Sequence, residues 1–124
     1  MVEINLEIKK LIESNALAFA TVGSLGKPHC IAVGFVKVVS ENELILTDNY
    51  MLETVKNIQL NSSVALTVWN QDWKEKTVGF ELKGIAEYFL QGKWFDFVKK
   101  IPENKGEPCK GAILITVKKI KRLA

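Results

Sequence analysis

The chain has 124 residues, 48% of them hydrophobic and 25% charged, with a formal net charge of +3. That length suits one domain, with a core that needs neither disulfides nor a metal, and the charge is too small by itself to indicate a nucleic-acid partner. Two distant cysteines, Cys30 and Cys109, and one histidine, His29, offer no thiol or imidazole cluster for zinc, so the expectation is a reduced, cytoplasmic protein without a metal site.

The N-terminal stretch MVEINLEIKK is amphipathic and carries acids, so it does not read as a signal peptide. No apolar run approaches the roughly 20 residues of a membrane span. Ile4, Ile8, Leu11 and Ile12 share helical spacing, which predicts a short amphipathic helix that lids or plugs a sheet. Leu17 to Val22 reads as a first strand. Gly23 to Pro28 form a hairpin turn, since glycine takes positive φ at little cost. His29 to Val39 reads as one long second strand, with Gly34 marking a bend, a bulge or the close approach of another group.

Glu43 to Trp69 reads as strand, polar turn, helix and strand. Leu44 to Leu46 form an apolar run that ends in Thr47. Asp48 and Asn49 offer side-chain acceptors to the free amides of a helix start. Met51, Val55 and Ile58 recur on one helical face. Val64, Leu66 and Val68 alternate with Ala65, Thr67 and Trp69 as the next strand. A helix starting straight off a strand end is able to hold a phosphate; an ordinary connector over a sheet is the favoured reading on local physics alone.

A polar turn then leads to a long strand, Thr77 to Phe89, with Gly79 and Gly84 as bend or bulge positions. Trp94, Phe95, Val98 and Ile101 predict a helix over Gln91 to Ile101. Residues 102 to 110 form a loop, and Gly111 to Val117 is a last strand that runs into Lys118, Lys119, Lys121 and Arg122. Long strands with helices only at the connections favour a mainly β fold, a closed antiparallel barrel, over a doubly wound sheet. One domain over residues 1 to 124 is the simplest account.

Little in the chain builds a catalyst. His29 has no evident partner and reads first as a structural or surface histidine. Cys30 is reactive only if exposed with a lowered pKa. No nucleophile elbow, zincin, P-loop or dinucleotide motif is present. Any enzyme activity would therefore rest on a bound cofactor, and no catalytic residue is assigned. Most aromatics read as core and interface packing. The basic C-terminal strand reads as a solvated sheet edge, with a single-stranded nucleic-acid surface as the weaker alternative.

Three segments in order, FATVGSLGKPHCIAVGFVKVV, LILTDNYMLETVKNIQLNSSVALTVW and GFELKGIAEYF, resemble the pyridoxamine 5'-phosphate oxidase-like, FMN-binding split-barrel family, in its short flavin-binding branch. The resemblance runs from about Leu17 to Val117 and rests on the order and spacing of weak motifs. It implies a six-stranded antiparallel Greek-key split barrel that dimerises, with FMN at the subunit interface. It places the flavin phosphate near Thr47, Asp48 and Asn49 and the helix start from Met51, with Glu53, Thr54 and Asn57 at motif positions. It places the ring along Val33, Gly34 and Phe35, and brings Lys110 and Gly111 from the second subunit.

One departure stands out. Relatives often carry a lysine where this chain has Glu53, and a carboxylate facing a phosphate would repel it. The arginine-rich apparatus that binds substrate phosphate in true pyridoxamine phosphate oxidases is also absent, since Arg122 is the single arginine. The expected function is therefore an FMN-binding flavoprotein, as an oxidoreductase or electron carrier. The first alternative is a non-catalytic module for a flavin, deazaflavin or tetrapyrrole. The second is a nucleic-acid-binding barrel.

Overall fold

The computed structural model describes residues 2–124. In chain order the elements are α1 (Leu6–Ser14), β1 (Leu17–Val22), β2 (Pro28–Val33), β3 (Lys37–Ser40), β4 (Glu43–Asp48), α2 (Leu52–Leu60), β5 (Ser63–Trp69), β6 (Gly79–Phe89), α3 (Lys93–Lys99) and β7 (Gly111–Arg122). All strand pairs are antiparallel, in the order β2-β1-β5-β6-β7-β4-β3. The mainly β split-barrel expectation holds.

The strand count differs from the six expected. The sheet has seven strands because the long strand over His29 to Val39 breaks at residues 34–36. Phe35 takes φ 55°, which pulls its amide and carbonyl out of the ladder. The halves then pair with different partners: β2 with β1, and β3 with β4. Since β2 and β3 lie at opposite ends of the sheet order, this break is the corner where the sheet closes on itself.

Strand patterns follow from which faces are covered. In β1, Leu17, Phe19 and Thr21 point inward and alternate with half-buried residues. Val64, Leu66 and Val68 do the same in β5. β4 and β7 read instead as continuous apolar runs, because both of their faces are buried. Leu44, Leu46, Ile113 and Ile115 fill the barrel. Ile45, Ala112 and Leu114 pack against Val98 of α3 and Ile101 just after it. α1 is the expected plug: Ile4, Ile8 and Ile12 join the barrel core, and the Asn5 side chain accepts from the Ile8 amide at 2.9 Å.

Glycine is required at two positions in this frame. The β6–β7 register shifts at Lys83/Gly84, and a Cβ on Gly84 would lie 2.3 Å from the Thr116 carbonyl oxygen, so the expected bulge is real. In the β1–β2 turn the positive φ values belong to Leu25 and Gly26. Gly23 has an ordinary φ and serves another purpose: a Cβ there would meet Asn57 Oδ1 at 2.8 Å. The basic end of β7, beyond Val117, pairs with β6 but lies past the β4 ladder, so it forms an exposed sheet margin. Arg122 within it bonds Glu7 at 3.0 Å and covers the Phe80 ring.

Candidate functional site

A cleft of about 640 Å³ opens between the end of β2, the start of α2 and the loop that follows α3. Ligand sites commonly fall in this size range. Three local features of the sequence shape it. The corner at 34–36 ends β2 and presents Val33, Gly34 and Phe35 as one wall. Gly34 has open space where a Cβ would stand. The turn after β4 then delivers Thr47 and Asn49, and α2 delivers Met51, Glu53 and Thr54.

Eight of the expected positions therefore meet in one cleft: Val33, Gly34, Phe35, Thr47, Asn49, Met51, Glu53 and Thr54. Asp48, Asn57, Lys110 and Gly111 do not line it. Asp48 is buried and is spent internally, accepting from the Met51 amide at 2.8 Å and from the Tyr88 hydroxyl at 2.6 Å. It caps the turn before α2, where a cap on the helix itself was expected. Asn57 is buried and donates to Thr21 Oγ1 at 3.0 Å, clamping α2 to β1. The Lys110 side chain is exposed, while its amide donates to the Asp48 carbonyl at 2.8 Å. Gly111 lies under the Tyr88 ring, where a Cβ would come within 2.4 Å of the hydroxyl.

The start of α2 has donors to spare. The Asp48 carboxylate takes the Met51 amide, and the Tyr50 carbonyl takes the Leu52 amide at 3.1 Å. Among the described residues, the amides of Glu53 and Thr54 have no acceptor in the chain. Two buried side-chain oxygens are likewise unpartnered, Thr54 Oγ1 and Asn49 Oδ1. Buried polar atoms are nearly always bonded, so this concentration in one cleft is informative.

One ionic contact in the cleft joins two residues that sequence reasoning left unpaired. Glu53 Oε2 lies 2.6 Å from His29 Nδ1. The carboxylate that departs from the family pattern thus has a partner, supplied by the lone histidine at the start of β2. The loop after α3 was also missed. It contributes Ile101, Glu103, Asn104, Lys105 and Glu107 to the lining. Three side-chain bonds tie it down: Lys37 to Glu103, Asn49 to Asn104 at 2.7 Å, and Tyr50 to Glu107 at 2.7 Å. The bond from Lys37 holds the Glu103 carboxyl below its usual range. Accepting from the Tyr50 hydroxyl, Glu107 raises that phenol. Nearby, burial and then the Asp48 bond push Tyr88 well above the ordinary phenol value. Burial also raises Cys109.

Comparison with known proteins agrees with this architecture. A protein of Methanocaldococcus jannaschii, MJ0282, is 30% identical over 127 residues, covering 99% of this chain and 83% of its own. HupZ of Group A Streptococcus superposes with a TM-score of 0.88 at 24% identity, over 97% of this chain and 94% of HupZ. An FMN-binding protein from Syntrophomonas wolfei gives 0.82 at 17% identity, over 94% and 83% of the two chains. At those identities the two structures show a shared fold. The profile of the family described as pyridoxamine 5'-phosphate oxidase matches residues 4–124, and the chain belongs to that family.

Proposed function

We propose that the cleft holds FMN, with the phosphate at the start of α2 and the ring along Val33, Gly34 and Phe35, and that the protein works as a flavin-dependent redox protein. The observation that carries this reading is the set of unpartnered groups at one end of the cleft: the Glu53 and Thr54 amides and the buried Thr54 hydroxyl. These groups suit an anionic, oxygen-rich end of a ligand. At the other end, Gly34 leaves room for a flat ring to approach the backbone. Membership of the family and the similarity to an FMN-binding protein support the choice of flavin. Bound FMN would supply a ring that accepts and releases electrons or hydride. The chain would anchor the phosphate, position the ring, and shield one side with the loop held by Lys37, Asn49 and Tyr50.

A homodimer fits the mouth of this cleft. Phe35, Tyr50 and Leu52 are exposed large side chains at its rim, and a second copy would cover them. Lys110, which lies off its own cleft, is then available to the partner's site, with Gly111 shaping the strand start beside it. No helix among the described residues is long and apolar enough to cross a membrane. The free thiols Cys30 and Cys109 support placement in the reducing cytoplasm.

The test is the absorbance spectrum of the purified protein before and after FMN is added, with fluorescence quenching to measure binding and sedimentation to measure mass. Flavin absorbance and saturable quenching on a dimer are expected. A colourless protein with no saturable quenching would refute the reading. A second reading is a flavin-holding module without turnover. It is favoured by the engagement of the one imidazole with Glu53, which leaves no free histidine as a general base. Fast, specific reduction of the bound flavin by a nicotinamide donor would exclude it.

A further inference from the structure

At the mouth of the phosphate end the chain places an acid and an imidazole in contact, where a simple anion site would place a lone cation. His29 is a quarter exposed and Glu53 about two-thirds exposed, and they meet at 2.6 Å. Both line the cleft, beside the two free amides of α2 and the unpartnered Thr54 hydroxyl. With the imidazole protonated the pair has no net charge, so it neither attracts nor repels an incoming anion strongly. Separating the two groups changes that. The imidazolium alone is a donor and a cation, whereas the carboxylate alone repels a phosphate.

We propose that His29 and Glu53 form a proton-coupled selectivity element for the phosphate end of the ligand, in which the phosphate replaces the Glu53 carboxylate on the His29 imidazolium. This inference rests on the flavin reading for the identity of the ligand. The exchange is balanced without other reactants. The Nδ1–H bond to Glu53 Oε2 breaks, and a bond from the same proton to a phosphate oxygen forms. The carboxylate swings to solvent, and where the imidazole was neutral a proton is taken up from water.

The other charged groups around the pair leave this role to it. On α2, Lys56 lies one turn beyond Glu53 and is exposed, as is Lys27 in the turn before β2. Asp48, in the turn before α2, is committed to the Met51 amide and the Tyr88 hydroxyl. Across the cleft, Glu103 is paired with Lys37 and Glu107 accepts from Tyr50. Lys105 lines the cleft from the loop after α3 and has no ion-pair partner among the described residues, so it is a lone cation with no carboxylate to exchange for a phosphate.

The sign of the pH dependence follows. The exchange leaves one proton on the bound pair of imidazole and phosphate and frees an anionic carboxylate, so a lower proton concentration weakens binding of a phosphate ligand. One proton per ligand gives a slope approaching tenfold per pH unit. The phosphate's own titration near about pH 6 is common to all variants and drops out of ratios between them.

The experiment compares FMN with riboflavin, which lacks the phosphate, on the full chain and on Glu53→Gln and His29→Gln, from about pH 5.5 to about 9. Because the chain has one histidine, its imidazole NMR signals report on this site alone, and inorganic phosphate serves as a second probe. Glu53→Gln is expected to tighten FMN roughly 5- to 10-fold at neutral pH. His29→Gln should weaken it about as much and flatten its pH profile. Riboflavin affinity should stay within about twofold in both. Phosphate and FMN should each shift the His29 signals. If His29→Gln does not fold, Glu53→Gln and the imidazole signals carry the test. An FMN-to-riboflavin ratio unchanged in Glu53→Gln, with FMN binding that leaves the His29 signals in place, overturns the inference while the flavin reading stands. Phosphate that shifts His29 while neither flavin binds sinks the flavin reading and keeps the anion element. If neither flavin nor phosphate binds, both fall.

Discussion

Asp48→Ala should weaken folding much more than it weakens flavin binding. The carboxylate is 3% exposed and accepts two hydrogen bonds, from the Met51 amide at 2.8 Å and the Tyr88 hydroxyl at 2.6 Å. The first resembles a helix cap, worth about 1 kcal/mol. The second is charge-assisted, worth about 1.5–3 kcal/mol. Against their sum stands the cost of burying a carboxylate that has no cationic partner among the described residues, which the substitution removes. A net loss of about 2–3 kcal/mol is expected. Urea unfolding of flavin-free protein measures it. Tyr88→Phe alone should cost about 1–2 kcal/mol, and the double mutant should show a coupling of at least about 1 kcal/mol, because both changes remove one shared bond. Asp48→Asn keeps an acceptor for Met51 and should fall between. A loss under about 0.5 kcal/mol in Asp48→Ala, or no coupling to Tyr88, would refute this structural role. If FMN affinity falls sharply while stability holds, Asp48 belongs to the ligand site after all.

Two glycines give a contrasting pair. Gly84→Ala places a Cβ 2.3 Å from the Thr116 carbonyl oxygen and should cost about 3 kcal/mol in urea unfolding. Gly34→Ala meets open space and should change stability by less than about 0.5 kcal/mol, while weakening FMN binding if the ring lies there. Burial and the Asp48 bond raise the Tyr88 phenol in the folded state. The folded chain therefore holds that proton longer than the unfolded chain, and stability should fall as pH rises above about 10. Tyr88→Phe should flatten that fall in urea titrations at alkaline pH. Lys37 depresses the Glu103 carboxyl, so the tie they make is fully present above the ordinary carboxyl range and is lost as pH falls below that range, through the lowered value. Protection factors of the amides at 103–107 against hydrogen exchange should fall in acid, and should already be lower at neutral pH in Lys37→Ala.

Periodicity made much of this fold legible. Ile4, Ile8 and Ile12 announced α1, the alternation at Val64, Leu66 and Val68 announced β5, and Trp94 with Val98 announced α3. These are local patterns, readable without knowing what lies opposite. The corner at 34–36 was not legible, because HCIAVGFVKVV keeps strand composition throughout and only Gly34 interrupts it. What breaks the strand is non-local: its two halves pair with β1 and β4 at opposite ends of the sheet. The ties across the cleft were hidden for the same reason. Lys37–Glu103, Asn49–Asn104 and Tyr50–Glu107 join residues 66, 55 and 57 positions apart. Taken alone in the sequence, His29 is a histidine without a partner and Glu53 a misplaced acid. Their contact answers both readings.

The polar residues around α2 show why the family resemblance gave a list of site residues with two kinds of member. An apolar pattern would bury Met51, Val55 and Ile58, yet the helix buries Thr54, Asn57 and Ile58. Desolvating a polar group is costly unless it is bonded, so each one needs a use. Asp48 and Asn57 have theirs inside the chain: one holds the entry to α2 against Tyr88, and the other holds its body against Thr21. Thr54 Oγ1 and Asn49 Oδ1 have none, and both residues line the cleft. A motif match records that a polar residue is needed at a position and is silent on what bonds to it. Sorting the matched positions by bonds already made separates those that place the helix from those left for a ligand. On that criterion the proposed phosphate end of the cleft would rest on Thr54 and the free amides beside it, with Asp48 and Asn57 holding those groups in place.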